Sequence, residues 1–524
     1  MPLELDNADP VDPLTPESLP WSEKLQGNII NGHGRDHTAN IFITLPGNVD
    51  GAKALVSRLA AGVTSAAKQE TERRRFKTLK VPGETFRMLL ISATGYRKLG
   101  FDEDRLSAAF DDAAQPQVQA SFLGGARGAV DALQDPPPAE WEEPFRESDL
   151  DLLLIVADDD EQFLLRRCGE VLTSLPDGTL AHVERGEALR TAGGEGIEHF
   201  GYVDGRSQPL YTTWDFERDA SGNPIRRDGN LVEAGGGGTK EFPPFASLGL
   251  VLVPDVLADD AEAFGSYFVF RKLEQNVRGF KLAEQALADA LKLPQGERER
   301  AGAMAVGRFE DGTPVVVSRA DGFIPAKENN FNYGGDGAGL KCPFQAHIRK
   351  TNPRGEAPKI DGIPPERDRR ITRRGITYGD RPEHPQAAQD ISALPSEGVG
   401  LLFMCFQSSI PKQFGFMQRF WANSENFLKD GVGLDPLIGQ FKPDNQANPP
   451  RKAPIKQRWR AEWGGEVKDK APLRDTHETE FLMNGFVTMK GGEFFFAPSI
   501  PFLQSLQAAS RSSAREPVAQ SEET

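Results

Sequence analysis

The chain has 524 residues, with 61 Lys and Arg against 77 Asp and Glu, a formal net charge of −16 and a pI near 5.1. Charge of that sign repels phosphate backbones and anionic lipids at long range, which argues against a nucleic-acid or membrane-surface role. With 38% hydrophobic residues, 53 Gly and 39 Pro, wholesale disorder is excluded and long loops are expected.

At roughly 150 residues per domain, the length fits two large domains or three smaller ones. The N-terminus, MPLELDNADPVDP, puts acids and prolines where an export signal has a basic and then an apolar segment. Residues 1–24 are expected to be a mobile tail, and the protein to be cytoplasmic. Residues 41–45, 86–94 and 150–157 are short β-rich runs, and 49–69 and 161–174 have helical spacing. They make residues 25–215 a first mixed domain. Residues 216–244 hold turn signals and the run Gly235 to Gly238, and are expected to be a connector loop. A second domain over 245–503 restarts with strands at 248–253 and 267–271 and a helix over 273–293. A polar stretch (352–370), an apolar strand (400–406) and a helix (412–429) follow, and 504–524 is expected to be a second mobile tail. The longest apolar run, 399–406, is far short of the ~20 residues that span a bilayer as a helix. The similar order of elements in the two parts suggests two related α+β halves.

The seven histidines form no HExxH or other paired metal spacing, and Cys168, Cys342 and Cys405 form no CxxC. Three segments carry chemistry instead. His347 sits in Lys341-Cys-Pro-Phe-Gln-Ala-His-Ile-Arg-Lys-Thr-Asn-Pro-Arg354, a neutral ligand beside cations. An imidazole can hold haem iron while arginines pair with the propionates; alone, the same residues also read as a partly buried histidine beside solvated arginines. Asp204 lies in Phe200-Gly-Tyr-Val-Asp-Gly-Arg206, where Gly205 lets the backbone bend close to a cofactor and the aspartate could move a proton; an ordinary Asp-Gly turn has the same pattern. Arg369-Arg-Ile-Thr-Arg-Arg-Gly375 is an arginine cluster suited to an anion, or a solvated basic loop.

Together and in order, these segments make the sequence resemble the dye-decolorising peroxidases. The likeness rests on Gln26-Gly-Asn-Ile-Ile-Asn-Gly-His-Gly-Arg35, Gly201 to Gly205, Phe270-Arg-Lys-Leu-Glu-Gln275, Cys342 to Lys350, Arg373-Arg-Gly-Ile-Thr-Tyr-Gly379 and Gly400 to Ser409. It implies an α+β fold of two ferredoxin-like domains with antiparallel sheets, and one haem b per chain held mainly by the second. By position, the resemblance makes His347 the iron ligand, Asp204 the distal acid/base and Arg373 the distal arginine, with Arg374 as the adjacent alternative. Arg349, Arg354 and Arg370 are candidate propionate partners, and Leu401 and Phe403 a distal wall. Tyr202 and Arg206 depart from the family's usual Phe and apolar residue, and the acidic partner of His347 is not placed by the sequence.

The implied activity is oxidation of dyes, phenols or other electron-rich aromatic donors by hydrogen peroxide through a ferryl haem. The alternative is a haem storage, sensing or iron-release protein with little turnover. Neither nucleic acid nor membrane is an expected partner, and an oligomer is compatible with the sequence. Any of the six Trp or six Tyr is open as an electron relay.

Overall fold

The computed structural model describes residues 3–110, 120–227, 230–234, 241–322, 329–357, 365–381, 383–387, 390–443, 450–464 and 478–513. Its centre is a set of antiparallel strands, the inner ones of which read as nearly unbroken apolar runs because both faces are covered. The first half contributes β1 (His37–Ile43), β2 (Phe86–Ser92), β3 (Leu152–Asp158) and β4 (Ala181–Glu187), in the order β2-β3-β1-β4. The second contributes β5 (Phe264–Gln275), β6 (Thr372–Arg373), β7 (Ile376–Tyr378), β8 (Gly400–Gln407) and β9 (Val487–Ala497), in the order β7-β8-β5-β9, with β6 paired to β8.

The two sets are continuous. Phe495 and Phe496 of β9 pair with Ser92 and Ile91 of β2, giving one ten-stranded sheet that includes the short strand Val253–Pro254. A register shift between Met489 and Gly491 bends β9 there. Gly491 is required at this bend: a Cβ on it would lie 2.2 Å from Cγ of Phe145.

Helices α1 (Val49–Ala60) and α2 (Ala66–Leu79) replace the single helix expected over 49–69. The chain breaks between them, and the Ser65 hydroxyl restarts it by accepting the Lys68 N–H. The expected helix over 161–174 forms as α3 (Glu161–Ser174), capped by Asp160. Helix α4 (Val277–Ala290) is shorter than expected, because the preceding residues extend β5. The apolar run at 248–253 is a turn of 3-10 helix, Leu248–Leu250, before the two-residue strand; a short buried run does not by itself distinguish strand from helix. Helix α5 (His347–Thr351) is a single turn and a half. The helix expected over 412–429 shrinks to Phe414–Phe416 and a π-helical turn, Met417–Ala422.

Neither end behaves as a free tail across its whole expected length. Trp21 and Ser22 are buried, Val11 bridges to Thr212, and Asp12 pairs with Arg74. At the other end, α6 (Ile500–Ser513) packs against α1, so the last helix of the second half covers the first half. The expected connector at 216–244 contains the hairpin of Arg226–Arg227 with Asn230–Leu231, while Gly235 to Gly238 lie outside the described residues, as do 358–364 of the polar stretch and 514–524. No described helix is long and apolar enough to cross a membrane.

Candidate active site

His347 is the first residue of α5, and the loop before it is tightly held. Asp336 accepts backbone N–H groups from Leu340, Lys341 and Cys342. The Arg349 guanidinium is fully buried, donates to Asp336 (2.9 Å), Glu356 and the Cys342 carbonyl, and lies over the rings of Tyr333 and Phe344. This corrects the expectation for Arg349: its charge is spent inside the protein, outside the cavity lining, and it braces the loop that delivers His347.

The acid behind His347 is Asp435. Its Oδ2 lies 2.8 Å from His347 Nδ1, and its Oδ1 accepts the N–H groups of Leu437 and Ile438. Burial pushes the Asp435 carboxyl up, but the imidazole and the backbone donors outweigh it and hold the carboxyl below its ordinary range. An ionised acceptor at Nδ1 fixes the tautomer and leaves Nε2, which has no hydrogen bond among the described residues, for a metal.

His347 lines a cavity of about 260 Å³, and Asp204 and Arg373 line it too. Asp204 follows the Ile197 to Val203 bridge, and its Oδ1 accepts from Gly205 N and from Arg373 Nη1, each at 2.6 Å. Gly205 does not line the cavity. It contributes that N–H and a left-handed φ of +83°, which the turn requires. Arg373, on β6, also donates to the Arg206 carbonyl at 2.9 Å. Burial raises the Asp204 carboxyl, but the guanidinium and the Gly205 N–H hold it below the ordinary carboxylate value. Arg374 turns to the other side of the strand and lies outside the cavity lining, which leaves Arg373 as the arginine on the cavity.

Leu401 and Phe403 alternate on β8 and form an apolar wall with Met417 and Ile438. The short helix and the π-helical turn bring Met417 and Gln418 to that wall, a common place for π-helical geometry. Arg354 and Arg370 line the cavity as well. Arg354 is stacked on Phe242 (4.1 Å) and Phe331 (3.8 Å), and donates to Ser207 Oγ and Asn329 Oδ1. Arg370 makes long contacts to the carbonyls of Pro244 and Phe245. Arg308 was not singled out in the sequence; it also lines the cavity and shares Asn329 Oδ1 with Arg354. No local pattern marks Arg308 or Asp435, which reach the site from separate loops.

This donor set fits a haem: one imidazole nitrogen backed by a carboxylate, an apolar wall for a macrocycle, and guanidinium groups for two carboxylates.

A scan against protein-family models finds no match. The chain is 41% identical to the multifunctional dye peroxidase DyP2 of Amycolatopsis sp. over 523 residues, which cover 97% of this chain and 100% of that protein. It is 30% identical to the dye-decolorizing peroxidase msp1 of Mycetinis scorodonius over 431 residues, 79% of this chain and 75% of that one. Among solved structures, Amycolatopsis DyP2 superposes with a TM-score of 0.82 at 38% identity, covering 96% of this chain and 100% of that one. A DyP-type peroxidase of Anabaena sp. gives 0.79 at 35%, covering 96% and 98%. The chain therefore belongs to the dye-decolorising peroxidase family, whose members are haem enzymes, and it is a peroxidase that uses hydrogen peroxide and an electron donor.

Proposed function

We propose that the chain would hold one haem b through His347 Nε2, and that it oxidises dyes, phenolic compounds or other electron-rich aromatic donors. Arg354, Arg308, Arg370, Leu401 and Phe403 line the cavity; the arginines would meet the propionates, and Leu401 and Phe403 would wall the macrocycle. Bound there, the haem supplies the redox chemistry of peroxide reduction and donor oxidation.

The observation that carries this reading is the Asp204 to Arg373 pair, 2.6 Å apart, in the same cavity as the Asp435-backed imidazole. Asp204 Oδ2 has no hydrogen bond among the described residues, and so a carboxylate oxygen is free to take a proton from peroxide and return it to the departing oxygen. Arg373 stabilises the negative charge that develops as the oxygens separate, and keeps Asp204 ionised between turnovers. A protein that only stores or senses haem has no need of such a pair. The three cysteines are free, buried thiols, in keeping with a cytoplasmic setting.

The test is the absorption spectrum of the purified protein with and without peroxide, alongside steady-state dye oxidation. Wild type is expected to show a Soret band that responds to peroxide and turnover of dye, and His347→Ala to lose both. A wild-type spectrum and activity in His347→Ala would overturn the ligand assignment.

A further inference from the structure

The motif Gln26 to Arg35 carries part of the family resemblance but lies outside the cavity lining. Gln69 knots it: Asn28 N donates to Gln69 Oε1 at 2.6 Å, and Gln69 Nε2 donates to the carbonyls of Asn31 and Gly32. The fit is close, since a Cβ on Gly27 would lie 2.6 Å from Gln69 Oε1. Gln26 in turn bonds both Leu89 backbone groups and the Pro498 carbonyl. Asn28 takes the left-handed conformation, φ +68°, and presents its carbonyl, with that of Ile29, outward from the knot.

Both carbonyls are taken by Arg374. Nε donates to Asn28 O at 2.7 Å, Nη2 to Ile29 O at 2.9 Å, and Nη1 to the carbonyl of Arg373 itself at 2.8 Å. Its backbone N–H is held by Met404 O on β8 at 2.7 Å. Among the described residues no carboxylate pairs with Arg374. A guanidinium that uses three donors on carbonyls and none on an anion acts as a clamp rather than a charge partner. What it clamps is the peptide plane from which the Arg373 side chain departs toward Asp204.

We propose that Arg374 is a positioning residue for Arg373, and that the Gln26 to Arg35 loop is the fixed body it braces against. This rests on Arg373 being the anion-stabilising group of the proposed reaction. Asp204 and the Arg206 carbonyl hold the tip of the Arg373 side chain, and the clamp fixes its other end, the peptide from which it departs. The clamp sets the guanidinium at one distance from an anion entering the cavity, and a small displacement of such a group weakens charge stabilisation.

The test uses the haem-loaded ferric protein and fluoride as the anionic probe, titrated by the Soret band, with the rate of reaction with peroxide followed in parallel. Arg374→Met is expected to weaken fluoride binding about 10-fold, the lower end of the effect of losing an outer-shell partner, and to slow the peroxide reaction while leaving the donor KM unchanged. In the Arg373→Leu background the same change should have no further effect, because nothing is left to position. Arg374→Lys, with one compact donor group, should not restore the wild-type value. If Arg374→Met does not fold, Gln69→Leu, which loosens the brace, decides: weaker fluoride binding supports the proposal and unchanged binding overturns it. Arg373→Leu alone separates the two ideas. Unchanged fluoride affinity there removes Arg373 from the anion site and overturns the reading beneath; a loss in Arg373→Leu without one in Arg374→Met overturns the positioning role alone.

Discussion

Nδ1 of His347 lies 2.8 Å from Oδ2 of Asp435, across 88 positions of sequence. The carboxylate is fully enclosed and its second oxygen is held by two backbone N–H groups, so it cannot swing away from the ring. An imidazole oriented in this way is more basic than a free one and presents one nitrogen in one direction.

Replacing that carboxylate by a neutral amide should therefore act on the metal. Asp435→Asn is expected to raise the reduction potential of the bound haem and to weaken haem retention about 10- to 100-fold. Potentiometry and haem transfer to an apo-globin measure both, and an unaltered potential would show that the Asp435 charge does not reach the ligand.

The distal pair predicts a pH profile. Burial raises the Asp204 carboxyl, and Arg373 and the Gly205 N–H lower it by more, so the proton-accepting form persists below the ordinary carboxylate value of 3.8. The rate of reaction with peroxide should be level from neutrality down to about pH 4 and fall only below it. Arg373→Leu removes the cation and moves that fall to higher pH. Asp204→Asn should lose about 100-fold or more at every pH, and stopped-flow mixing with peroxide measures each case.

A second acid at the cavity bears on stability. Glu198 accepts from the N–H groups of Phe200 and Tyr202, but burial pushes its carboxyl up to about 7. Its neighbour Gln275 has a buried Oε1 with no partner; with the Gln275 amide turned over, a protonated Glu198 can donate to it. A carboxyl raised in the folded state stabilises fully below its unfolded value, near 4.5, and loses that contribution as pH rises through 7. Thermal melts of wild type should fall in midpoint from pH 5 to 8, and Glu198→Gln should flatten this part of the slope; parallel slopes would refute the assignment.

Lys350 lies one turn along α5 from His347. Its ammonium group is buried and donates to the carbonyls of Trp421, Ser424 and Gly433, tying down the loop that leads into Asp435. Lys350→Met leaves those carbonyls without their donor, at a cost of about 2–4 kcal/mol. Chemical denaturation should report that loss, and a wild-type midpoint would mean that the loop repacks or takes up water.

How much of this was legible in the sequence differs by element. Asp204, His347 and Arg373 stand in short contiguous motifs, and the structure brings all three to one cavity. Asp435 was invisible because Gly-Leu-Asp-Pro has no local signature, and its meaning comes only from the distant ring it touches. Arg349 misled for the opposite reason: a cation beside a candidate ligand histidine looks like an anion site, and only the fold reveals Asp336 and Glu356 waiting for it. The α+β class followed from intermixed strand and helix patterns, but the fusion of the two sheets did not, since it rests on two residue pairs of β9 with β2. The helix expected over 412–429 failed because tertiary contacts of the cavity wall, not local propensity, set the backbone there.

The junction of β9 with β2 has a consequence for how the protein is made. Until residues 487–497 leave the ribosome, the edge of β2 has no neighbour, Gln26 lacks the Pro498 carbonyl it will bond, and the cavity lacks Val487. At about 5–20 residues per second, on the order of a minute separates synthesis of Gln26 from that of its last partner. The first half thus waits with an open strand edge, the kind of surface that invites wrong pairing.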